Sequence, residues 1–583
     1  MNSSDLRNIK TSSSSTENRS KLLFLLGIKC VLILALLAFT NHGFWGRIEL
    51  LLVNHRPETL IPYVAIWSIA VLALLVAAFQ PDRWLRWTWA TLIALSTAVG
   101  WGYAQASQSE LTAFDILSLW NARHEAGRAG EEYAHVVWLA LALFAFAFAV
   151  FAVNPVSWGP RARFWLRRFA WLPAIPVLAI GGIVYLKGGG GSQAMPQQFA
   201  PLALTAVTGI RIVLNPPQPR AQVSWMPNSG KRQEKILVLV DESIRADYGG
   251  ATPEHVLTPN MVASASQLID YGRAISGGNC SHYSNAILRF MVDRDDIIHS
   301  ANTSPTVWDY ARKAGYRTVF IDAQAGSIRT VSALQNFMTL EEKAKIDNFH
   351  ALQNVEAFEA DDRLMAIVAE ELAKPGPVFI YANKNGAHFP YDEAYDAKAA
   401  TLHPTVTEAG ETFAARANSY MNAIRWSVDR LWPQLMQTVM RNNAAMVYTS
   451  DHGQVVEPVG LTHCHVTEPE TRTALVPLML HLPNGNLQKE YAAAAPVLKD
   501  RASHFMLPAT LLDFMGYARA DTMKTYNMSL LDAGQLPLAF TSGDIFGLMS
   551  NNVSINAADP MTVAIEPEAQ KALDNLSRSA SVQ

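Results

Sequence analysis

The first third of this 583-residue chain contains five apolar segments, and these constrain its fold more than any other feature. Each is long enough for a helix to cross roughly 30 Å of hydrocarbon at about 1.5 Å per residue. The segments are Leu22 to Thr40, Ile61 to Phe79, Trp87 to Ala104, Val136 to Val153 and Phe169 to Leu186. Because half of all residues are hydrophobic and only 17% are charged, we predict a five-span α-helical transmembrane bundle at residues 22–187, followed by a soluble part.

The arginines between the segments predict their orientation. Basic residues favour the cytoplasmic side of a membrane. With residues 1–21 as a disordered cytoplasmic tail and an odd number of spans, everything after residue 187 is expected to be exported. The arginines that separate segments two and three, and four and five, are Arg83, Arg86, Arg161, Arg163, Arg167 and Arg168.

One basic residue lies inside the first apolar segment. Because a charge is costly in hydrocarbon, Lys29 either extends toward the interface or marks a later start of the span. A cleaved signal peptide is the alternative for this segment, but no small-x-small cleavage site follows it, and further apolar segments do.

Strand-like apolar runs alternate with helical patterns between residues 233 and 550. This alternation predicts an α/β domain with a mostly parallel central sheet, covered on both faces by helices. Residues 188–232 form a linker whose apolar patch, Leu202 to Leu214, could lie on the membrane surface as an interfacial helix. The polar residues 551–583 are expected to fray as a C-terminal tail. The runs include Lys235 to Ser243, Arg317 to Ile321, Pro377 to Ala382, Ala444 to Thr449 and Leu475 to Leu482.

Two of these runs end in groups that can bind a metal. Lys235 to Ser243 is continuous and apolar, as in a strand buried on both faces, and it ends in Asp241 and Glu242, where α/β folds place their ligands. Asp451 and His452 follow another run, and the next glycine lets both side chains reach one cation. With Glu242 they form an N/O set that suits zinc, although a solvated strand end or a surface turn is the alternative.

A hydroxyl-rich segment, Ser276 to Ser284, precedes a helical pattern. A hydroxyl at a helix N-terminus faces unpaired N–H groups and the positive end of the dipole, which favour a phosphate. Ser281 is therefore the candidate nucleophile if a metal lowers its pKa, and an ordinary N-cap serine is the alternative. Three neighbours are its rivals: Ser243, Cys280 and Ser284. We expect Ser243 to face away from the cation, because successive strand side chains alternate.

Histidines follow two strand ends. His388 lies in Asn385-Gly-Ala-His388, and His463 and His465 flank Cys464. An isolated histidine is more often structural than functional. Here the carboxyl ends of parallel strands collect at one edge, which favours a role at the site.

These motifs together resemble the alkaline phosphatase superfamily in its sulfatase-like branch. With five spans, the chain is most similar to the bacterial membrane phosphoethanolamine transferases and the lipoteichoic acid synthases. The family's Gly-Glu-Thr/Ser motif corresponds to Asp241-Glu242-Ser243, and its Ser-Asp-His-Gly motif is matched in full at Ser450 to Gly453. Its nucleophilic threonine, at the end of Ser-Cys-Gly-Thr-x-Thr, corresponds to Ser281.

The resemblance implies roles for these residues. Glu242, Ser281, Asp451 and His452 would hold one or two zinc ions, or another divalent metal, with Asp241 as a further candidate. The family's substrate histidine in Gly-Ser-His-Gly-Pro corresponds to His388. A histidine before a Val-Pro strand corresponds to His463, with His465 as the second choice.

The chain departs from the family pattern in three ways. Serine replaces threonine as nucleophile, and the family's disulfide partners around that loop are missing. Cys280 and Cys464 each adjoin a proposed site residue, so they either pair with each other or remain free thiols. The Cys-x-Pro-x-Arg sequence of ordinary sulfatases is absent, which disfavours a sulfatase.

The function implied is that of a multi-pass transferase of the bacterial inner membrane with a periplasmic catalytic domain at residues 233–550. It would move phosphoethanolamine, or a similar phospho-headgroup, from a phospholipid, with phosphatidylethanolamine as the expected donor, to lipid A or another envelope lipid or glycan. A membrane-bound phosphoesterase and a catalytically silent, lipid-binding regulator are the alternatives. The near-balance of 47 basic and 50 acidic residues argues against nucleic acid as a partner.

Overall fold

The computed structural model describes residues 24–581 with gaps, and the described residues form two compact units. The apolar unit ends at residue 214, and the α/β unit begins at residue 219. The predicted tail at residues 1–21 lies outside the described residues. The gaps are 54–56, 108–109, 114–115, 117–133, 155–157, 188–189, 215–218, 229, 231, 325–341, 344, 353–354, 411, 458–461, 466–468, 533, 535 and 548–552.

The apolar unit consists of helices that bury alanine where they meet. Ala73 of the third helix and Ala90 of the fourth are fully buried, and such small residues let helices approach closely. The helices are α1 (Phe24–Thr40), α2 (Gly43–Val53), α3 (Pro57–Ala78), α4 (Arg83–Ser107), α5 (Ala134–Ala152), α6 (Pro160–Arg168), α7 (Ala174–Leu186) and α8 (Ala200–Leu214).

Among the described residues, two helices are long and apolar enough to cross a membrane: α3 and residues 135–152 of α5. A third span results if α1 and the start of α2, which are bent by 68° at their junction, count as one. The predicted five spans are therefore reduced to two or three. α4 is 25 residues long but less apolar, and α7 has only 13 residues because a turn ending at Pro173 delays its start.

α8 covers the apolar patch that the sequence assigns to the linker. Phe199, Ala203 and Leu204 are buried among the other apolar helices. Residues 190–214 therefore belong to the apolar unit, and the predicted linker is wrong for this stretch. The sequence pattern misled because an apolar stripe on a short helix is the same whether it faces lipid or a neighbouring helix.

Lys29 lies within α1, and its side chain reaches the C-terminal ends of two other helices. Its ammonium is buried and donates hydrogen bonds to the carbonyl oxygens of Ala78, at 2.7 Å, and of Val153. It also lies 5.1 Å from the ring centroid of Phe79. Because the C-terminal end of a helix carries partial negative charge, Lys29 caps α3 and α5 together.

The α/β unit is built on a seven-stranded sheet with the order β2-β7-β6-β1-β5-β3-β4. β1 is central and fully buried beyond its first residue, and it runs parallel to both neighbours. Only β7 runs against its neighbours, so the predicted mostly parallel α/β fold is confirmed. The strands are β1 (Lys235–Asp241), β2 (Ile269–Ile275), β3 (Arg317–Asp322), β4 (Asn348–Ala351), β5 (Val378–Asn383), β6 (Ala445–Ser450), β7 (Leu475–His481) and a separate pair, β8 (Ala539–Ser542) and β9 (Ser554–Ala557).

Helices cover the sheet and bury aliphatic side chains against it. Leu364 and Val368, one turn apart on one helix, both lie in the main core with Leu237 of β1. The helices are α9 (Pro259–Ala263), α10 (Ser281–Arg289), α11 (Ile297–Thr303), α12 (Val307–Lys313), α13 (Ala357–Ala373), α14 (Val406–Ala409), α15 (Phe413–Ile424), α16 (Trp432–Arg441), α17 (Asn486–Leu498), α18 (Leu507–Phe514), α19 (Arg519–Tyr526) and α20 (Pro567–Ser581).

The C-terminal segment packs against the α/β unit. β9 pairs with β8, and Ala569 and Leu573 of α20 are buried in the main core. Glu566 forms an ion pair with the buried Arg245, with 2.7 Å between Oε1 and Nη1. The expected fraying is therefore wrong for residues 553–581. The segment is polar on average, but its few apolar and acidic residues meet specific partners.

Candidate functional site

The site lies at the carboxyl ends of β1 and β6 and at the N-terminus of α10. Asp241 pairs with Ser450 across the parallel strands, so the residues that follow them come side by side. Glu242 leaves β1, and Asp451 and His452 leave β6. All three side chains are fully buried, and Ser281, the first residue of α10, is nearly so.

Four side chains converge on one point. Glu242, Asp451 and His452 each offer a ligand atom, and these atoms lie within 4.8 Å of one another. Ser281 Oγ lies 3.1 Å from Glu242 Oε1 and 2.9 Å from His452 Nε2. His452 Nδ1 hydrogen-bonds to the carbonyl oxygen of Gly453 at 2.7 Å, which directs Nε2 toward the cluster.

Neighbouring groups fix the two carboxylates. Gln324 Nε2 donates to Glu242 Oε2 at 2.7 Å and to the carbonyl of Lys384 at 2.8 Å. Asn285 Nδ2 donates to Asp451 Oδ2 at 3.3 Å. The backbone N–H of Ser243 donates to Asp451 Oδ1 at 3.1 Å. Such contacts hold the ligand atoms in a fixed orientation before any ion binds.

The two carboxylates and the imidazole of the site shift one another's pKa. Burial, followed by the charge of Glu242, raises the pKa of Asp451 well above its usual value. Burial also opposes ionisation of Glu242, but the hydrogen bond and charge of His452 lower its pKa well below the usual value. Burial would lower the pKa of His452, yet Asp451 and Glu242 raise it to about 9. Each of these three groups therefore strongly affects the ionisation of the other two.

The donor set fits a divalent cation. Hydroxyls, side-chain amides, backbone N–H groups and the imidazole of His452 surround the carboxylates of Glu242 and Asp451. Buried carboxylates need a compensating positive charge. Carboxylate oxygens, an imidazole and a hydroxyl are ligands that zinc accepts.

Two further histidines reach this site. The ring of His463 stacks on that of His452, with centroids 4.3 Å apart. Burial, followed by the positive charge of His452, lowers the pKa of His463 well below its usual value. His388 contributes to the lowered pKa of Glu242 through its charge. Both predicted histidines therefore lie in electrostatic contact with the cluster.

The loop with His388 lies directly on the backbone of Glu242. Ala387 N–H donates to the carbonyl of Glu242 at 3.0 Å. Gly386 has a φ of 53°, and a Cβ atom there would come within 2.5 Å of the same carbonyl oxygen. Only glycine allows this close approach.

Asp241 and His465 lie outside the cluster. Asp241 is on the opposite side of the strand from Glu242, and its Oδ2 pairs with Lys384 Nζ at 2.7 Å and with Tyr448 at 3.0 Å. Burial lowers the pKa of His465, and the charges of Glu470 and Arg472 act on its ring after that. The structure therefore gives neither residue a ligand position.

The rival nucleophiles make fewer contacts with the ligand set. Ser243 Oγ donates to Glu242 Oε1 at 2.9 Å, so the expectation that it faces away is wrong. Its φ of 61° ends the strand alternation on which that expectation rests. Ser284 Oγ donates to the backbone carbonyl of Asp451. Ser281 differs from both because it contacts Glu242 and His452 together.

The structure decides whether Cys280 and Cys464 pair with each other or remain free thiols, which the sequence leaves open. Cys280 and Cys464 form a disulfide with their Cα atoms 4.6 Å apart, although 184 residues separate them in the chain. Cys30, in the apolar unit, is free.

The sequence analysis missed several supporting residues. Gln324 lies two residues beyond β3, so the rule that strand ends collect ligands could have indicated it. His504 is buried and hydrogen-bonds to Thr449 at 2.9 Å behind the site. It follows no strand, and no sequence signal marks it.

Comparisons with known proteins agree with this architecture. Residues 234–517 match the sulfatase family. The full-length integral membrane lipooligosaccharide phosphoethanolamine transferase A of Neisseria meningitidis is similar in fold, with a TM-score of 0.56 and 16% identity, over 86% of this chain and 99% of that one. The zinc complex of the periplasmic domain of EptC from Escherichia coli gives a TM-score of 0.48 at 16% identity, over 60% and 99% of the two chains. No curated protein sequence matches this chain.

Proposed function

Because residues 234–517 match the sulfatase family, we propose that the protein is a metal-dependent phosphotransferase of the alkaline phosphatase superfamily, in its sulfatase-like branch. The observation that carries the proposal is the position of Ser281, whose Oγ lies 2.9 Å from His452 and 3.1 Å from Glu242 at the start of α10. A hydroxyl there can attack a phosphate held at the helix N-terminus.

We propose that Glu242, Asp451, His452 and Ser281 hold a divalent cation, with zinc as the expected ion. When bound, the cation supplies positive charge that lowers the pKa of the Ser281 hydroxyl and offsets charge on the transferred phosphate. Asn285 keeps the carboxylate of Asp451 in place, and Gln324 does the same for Glu242. These contacts keep the ligand atoms preorganised.

The chain's own residues would then divide the reaction into two steps. In the first step Ser281 Oγ attacks the donor phosphorus, the bond from phosphorus to the lipid oxygen breaks, the lipid oxygen leaves with the proton of the serine hydroxyl, and a phosphoserine that carries the headgroup forms. In the second step a hydroxyl of the acceptor attacks the same phosphorus, the bond from phosphorus to Ser281 Oγ breaks, and the free serine is restored. His388 and His463 act in this second step, where they position the phosphate and move the proton of the acceptor hydroxyl to the departing Ser281 oxygen. Exclusion of water by the buried cluster favours transfer over hydrolysis.

The proposed donor is a phospholipid, with phosphatidylethanolamine expected, and the proposed acceptor is lipid A or another lipid or glycan of the envelope. The apolar unit supports this choice, because two or three of its helices can cross a membrane and keep the α/β unit near lipid. The proposed location is the bacterial inner membrane, with the α/β unit in the periplasm.

Lipid mass spectrometry of cells with and without the protein tests the proposal. We expect an envelope lipid to gain the mass of a phospho-headgroup, and diacylglycerol to rise with it. Ser281→Ala should abolish both changes and the trapped phosphoserine, whereas Ser281→Thr should keep part of the activity. Ser284→Ala serves as the matched control. Headgroup transfer by Ser281→Ala, or phosphate mapped to Ser243 or Ser284, would overturn the assignment of Ser281 as the nucleophile. Release of the phosphorylated headgroup into solution, without transfer to a lipid, would identify a phosphoesterase.

A further inference from the structure

The disulfide joins the two loops that carry Ser281 and His463. Cys280 immediately precedes Ser281 and occupies the N-cap of α10. Cys464 immediately follows His463. The bridge therefore connects the proposed nucleophile to a histidine that stacks on a proposed metal ligand.

Backbone contacts continue the same connection. Cys464 N–H donates to the carbonyl of Asn279 at 2.8 Å. Asn279 Nδ2 donates to the carbonyl of His465, also at 2.8 Å. On the other side of His463, Val455 N–H donates to the carbonyl of Thr462, and the Thr462 hydroxyl hydrogen-bonds to His463 Nδ1, both at 2.8 Å. Hydrogen bonds and the stacking on His452 thus position His463, and the disulfide is the only covalent cross-link to its segment among the described residues.

Three of the four metal-ligand candidates, Glu242, Asp451 and His452, follow strands of the sheet and lie outside the two segments that the bridge joins. Glu242 and Asp451 leave adjacent strands at the centre of the sheet, and Asp451 N–H donates to the carbonyl of Asp241 at 2.9 Å. Loss of the disulfide would therefore move His463 more than the carboxylates. This difference separates the two halves of the proposed reaction, since loading of Ser281 needs the ligand set and transfer needs the positioned histidine.

Building on the proposed function, we propose that the Cys280–Cys464 disulfide is a redox-sensitive positioning element for His463. With the bridge intact, His463 stacks on His452 beside Ser281. With the bridge broken, the loop with His463 leaves the site, Ser281 still accepts the phospho-headgroup, and transfer to the acceptor slows. In an oxidising compartment, loading of Ser281 is followed by transfer to the acceptor. A dithiol reductant leaves the loading step intact and slows the transfer step.

The chemistry of the switch is thiol–disulfide exchange. A thiolate of the reductant attacks the Cys464 sulfur, because Cys464 is partly exposed while Cys280 is only 3% exposed. The S–S bond breaks, and a mixed disulfide forms. The second thiol of the reductant then resolves it. Two electrons and two protons end on Cys280 and Cys464, and the dithiol becomes a disulfide.

The experiment uses the full-length protein in detergent, before and after dithiothreitol, beside a Cys280→Ser/Cys464→Ser variant. Cys30→Ser is the matched control, because it removes the other thiol. We expect reduction to increase hydrogen exchange in the peptide containing residues 462–465 and to slow acceptor transfer by about a hundredfold, the usual worth of a positioned acid–base group. Phosphoserine should accumulate, metal content should stay constant, and the double variant should behave as the reduced protein.

Hydrogen exchange and thiol alkylation report on the bridge even if the protein has another activity. Unchanged exchange after reduction, or alkylation of Cys280 in the untreated protein, would overturn the proposal and leave the transferase function untouched. Parallel loss of metal and phosphoserine on reduction would also overturn it, because the bridge would then support the whole site. Absence of phosphoserine in the oxidised protein would instead count against the transferase function.

Discussion

The two units bury their cations against different partners. In the apolar unit, Lys29 donates to the carbonyl oxygens that end α3 and α5, and Arg86 donates to the carbonyl of Ala152 at 2.9 Å. In the α/β unit, Lys384 lies 2.7 Å from Asp241, and Arg245 lies 2.7 Å from Asp247. Lys29 and Arg86 thus meet main-chain oxygens, whereas Lys384 and Arg245 each meet a carboxylate as well as a main-chain oxygen.

This difference explains why the cluster at Glu242 stands out. The buried carboxylates of Asp241, Asp247 and Glu566 each form an ion pair with a lysine or arginine, whereas Glu242 and Asp451 share one imidazole, that of His452, and the charge of Arg289 also acts on Asp451. Two carboxylates buried in one cluster are costly for a purely structural site. A divalent ion removes that cost, so the charge pattern itself points to metal binding.

The largest effect is expected from removing one charge of this cluster. Asp451→Asn keeps the shape but removes the carboxylate, so zinc affinity should fall by more than the roughly 10- to 100-fold loss typical of supporting residues, and turnover should fall with it. Competition with a chromophoric chelator measures the affinity. Asp241→Asn is the matched control. Asp241 is a buried carboxylate next to Glu242 in the chain, but it lies outside the cluster and forms an ion pair with Lys384.

Asn285→Ala provides an intermediate case in the same experiment, because it removes the amide that contacts Asp451 and leaves the carboxylate in place. Its affinity should lie between those of Asp451→Asn and the unchanged protein. Equal zinc affinity for Asp451→Asn and Asp241→Asn would contradict the distinction between a cation-deficient cluster and a cation-matched one.

The second test concerns Lys384, whose ammonium lies 2.7 Å from Asp241 and 3.7 Å from Asp361. Lys384→Met leaves both carboxylates buried without their cation, so the α/β unit should lose about 3–5 kcal/mol of stability. Pulse proteolysis in urea, with fragments of that unit quantified, measures the loss. Adding Asp241→Asn to the variant should restore part of it, and no recovery would show that the ammonium acts by packing alone.

Lys29→Met provides the comparison in the apolar unit. It leaves two carbonyl oxygens without a donor but no charge without a partner, so the expected loss is smaller, about 1–3 kcal/mol. The same proteolysis assay, read on fragments of the apolar unit, measures it. Arg83→Met is the control, because Arg83 is exposed. A loss at Lys29 equal to that at Lys384 would break the distinction between carbonyl and carboxylate partners.

The sequence predicts the ends of strands better than what surrounds them. Glu242, Asp451 and His452 follow long apolar runs in a parallel sheet, so topology alone brings them together. Ser281 needs one further signal, the hydroxyl at the start of a helix. The partners of Lys29 depend instead on where α3 and α5 end in three dimensions. The Cys280–Cys464 bridge spans 184 residues, and no local pattern could choose between a pair and two free thiols.

Two errors share one physical cause. The linker prediction at α8 rests on an apolar patch between polar residues, and the tail prediction at α20 rests on average polarity; neither signal identifies the surface that the segment packs on. Each segment carries a few buried residues, such as Leu204 and Leu573, that pack on a unit formed by distant parts of the chain. Average composition cannot show which surface such a stripe will meet.

The smallest expected effect concerns the ion pair that holds the C-terminal segment. Burial alone would raise the pKa of Glu566, but the hydrogen bond and charge of Arg245 lower it to about 2. A carboxylate whose pKa is depressed on folding stabilises the protein above its usual pKa, near 4.5, and loses that contribution as the pH falls toward 2. Glu566→Gln should cost about 1 kcal/mol at pH 7, because Arg245 keeps Asp247. Its unfolding curve should meet that of the unchanged protein as the pH falls from 5 to 2, whereas the exposed Glu568→Gln control should match the unchanged protein at every pH. A constant difference across this range would mean that Glu566 acts by packing and not by charge.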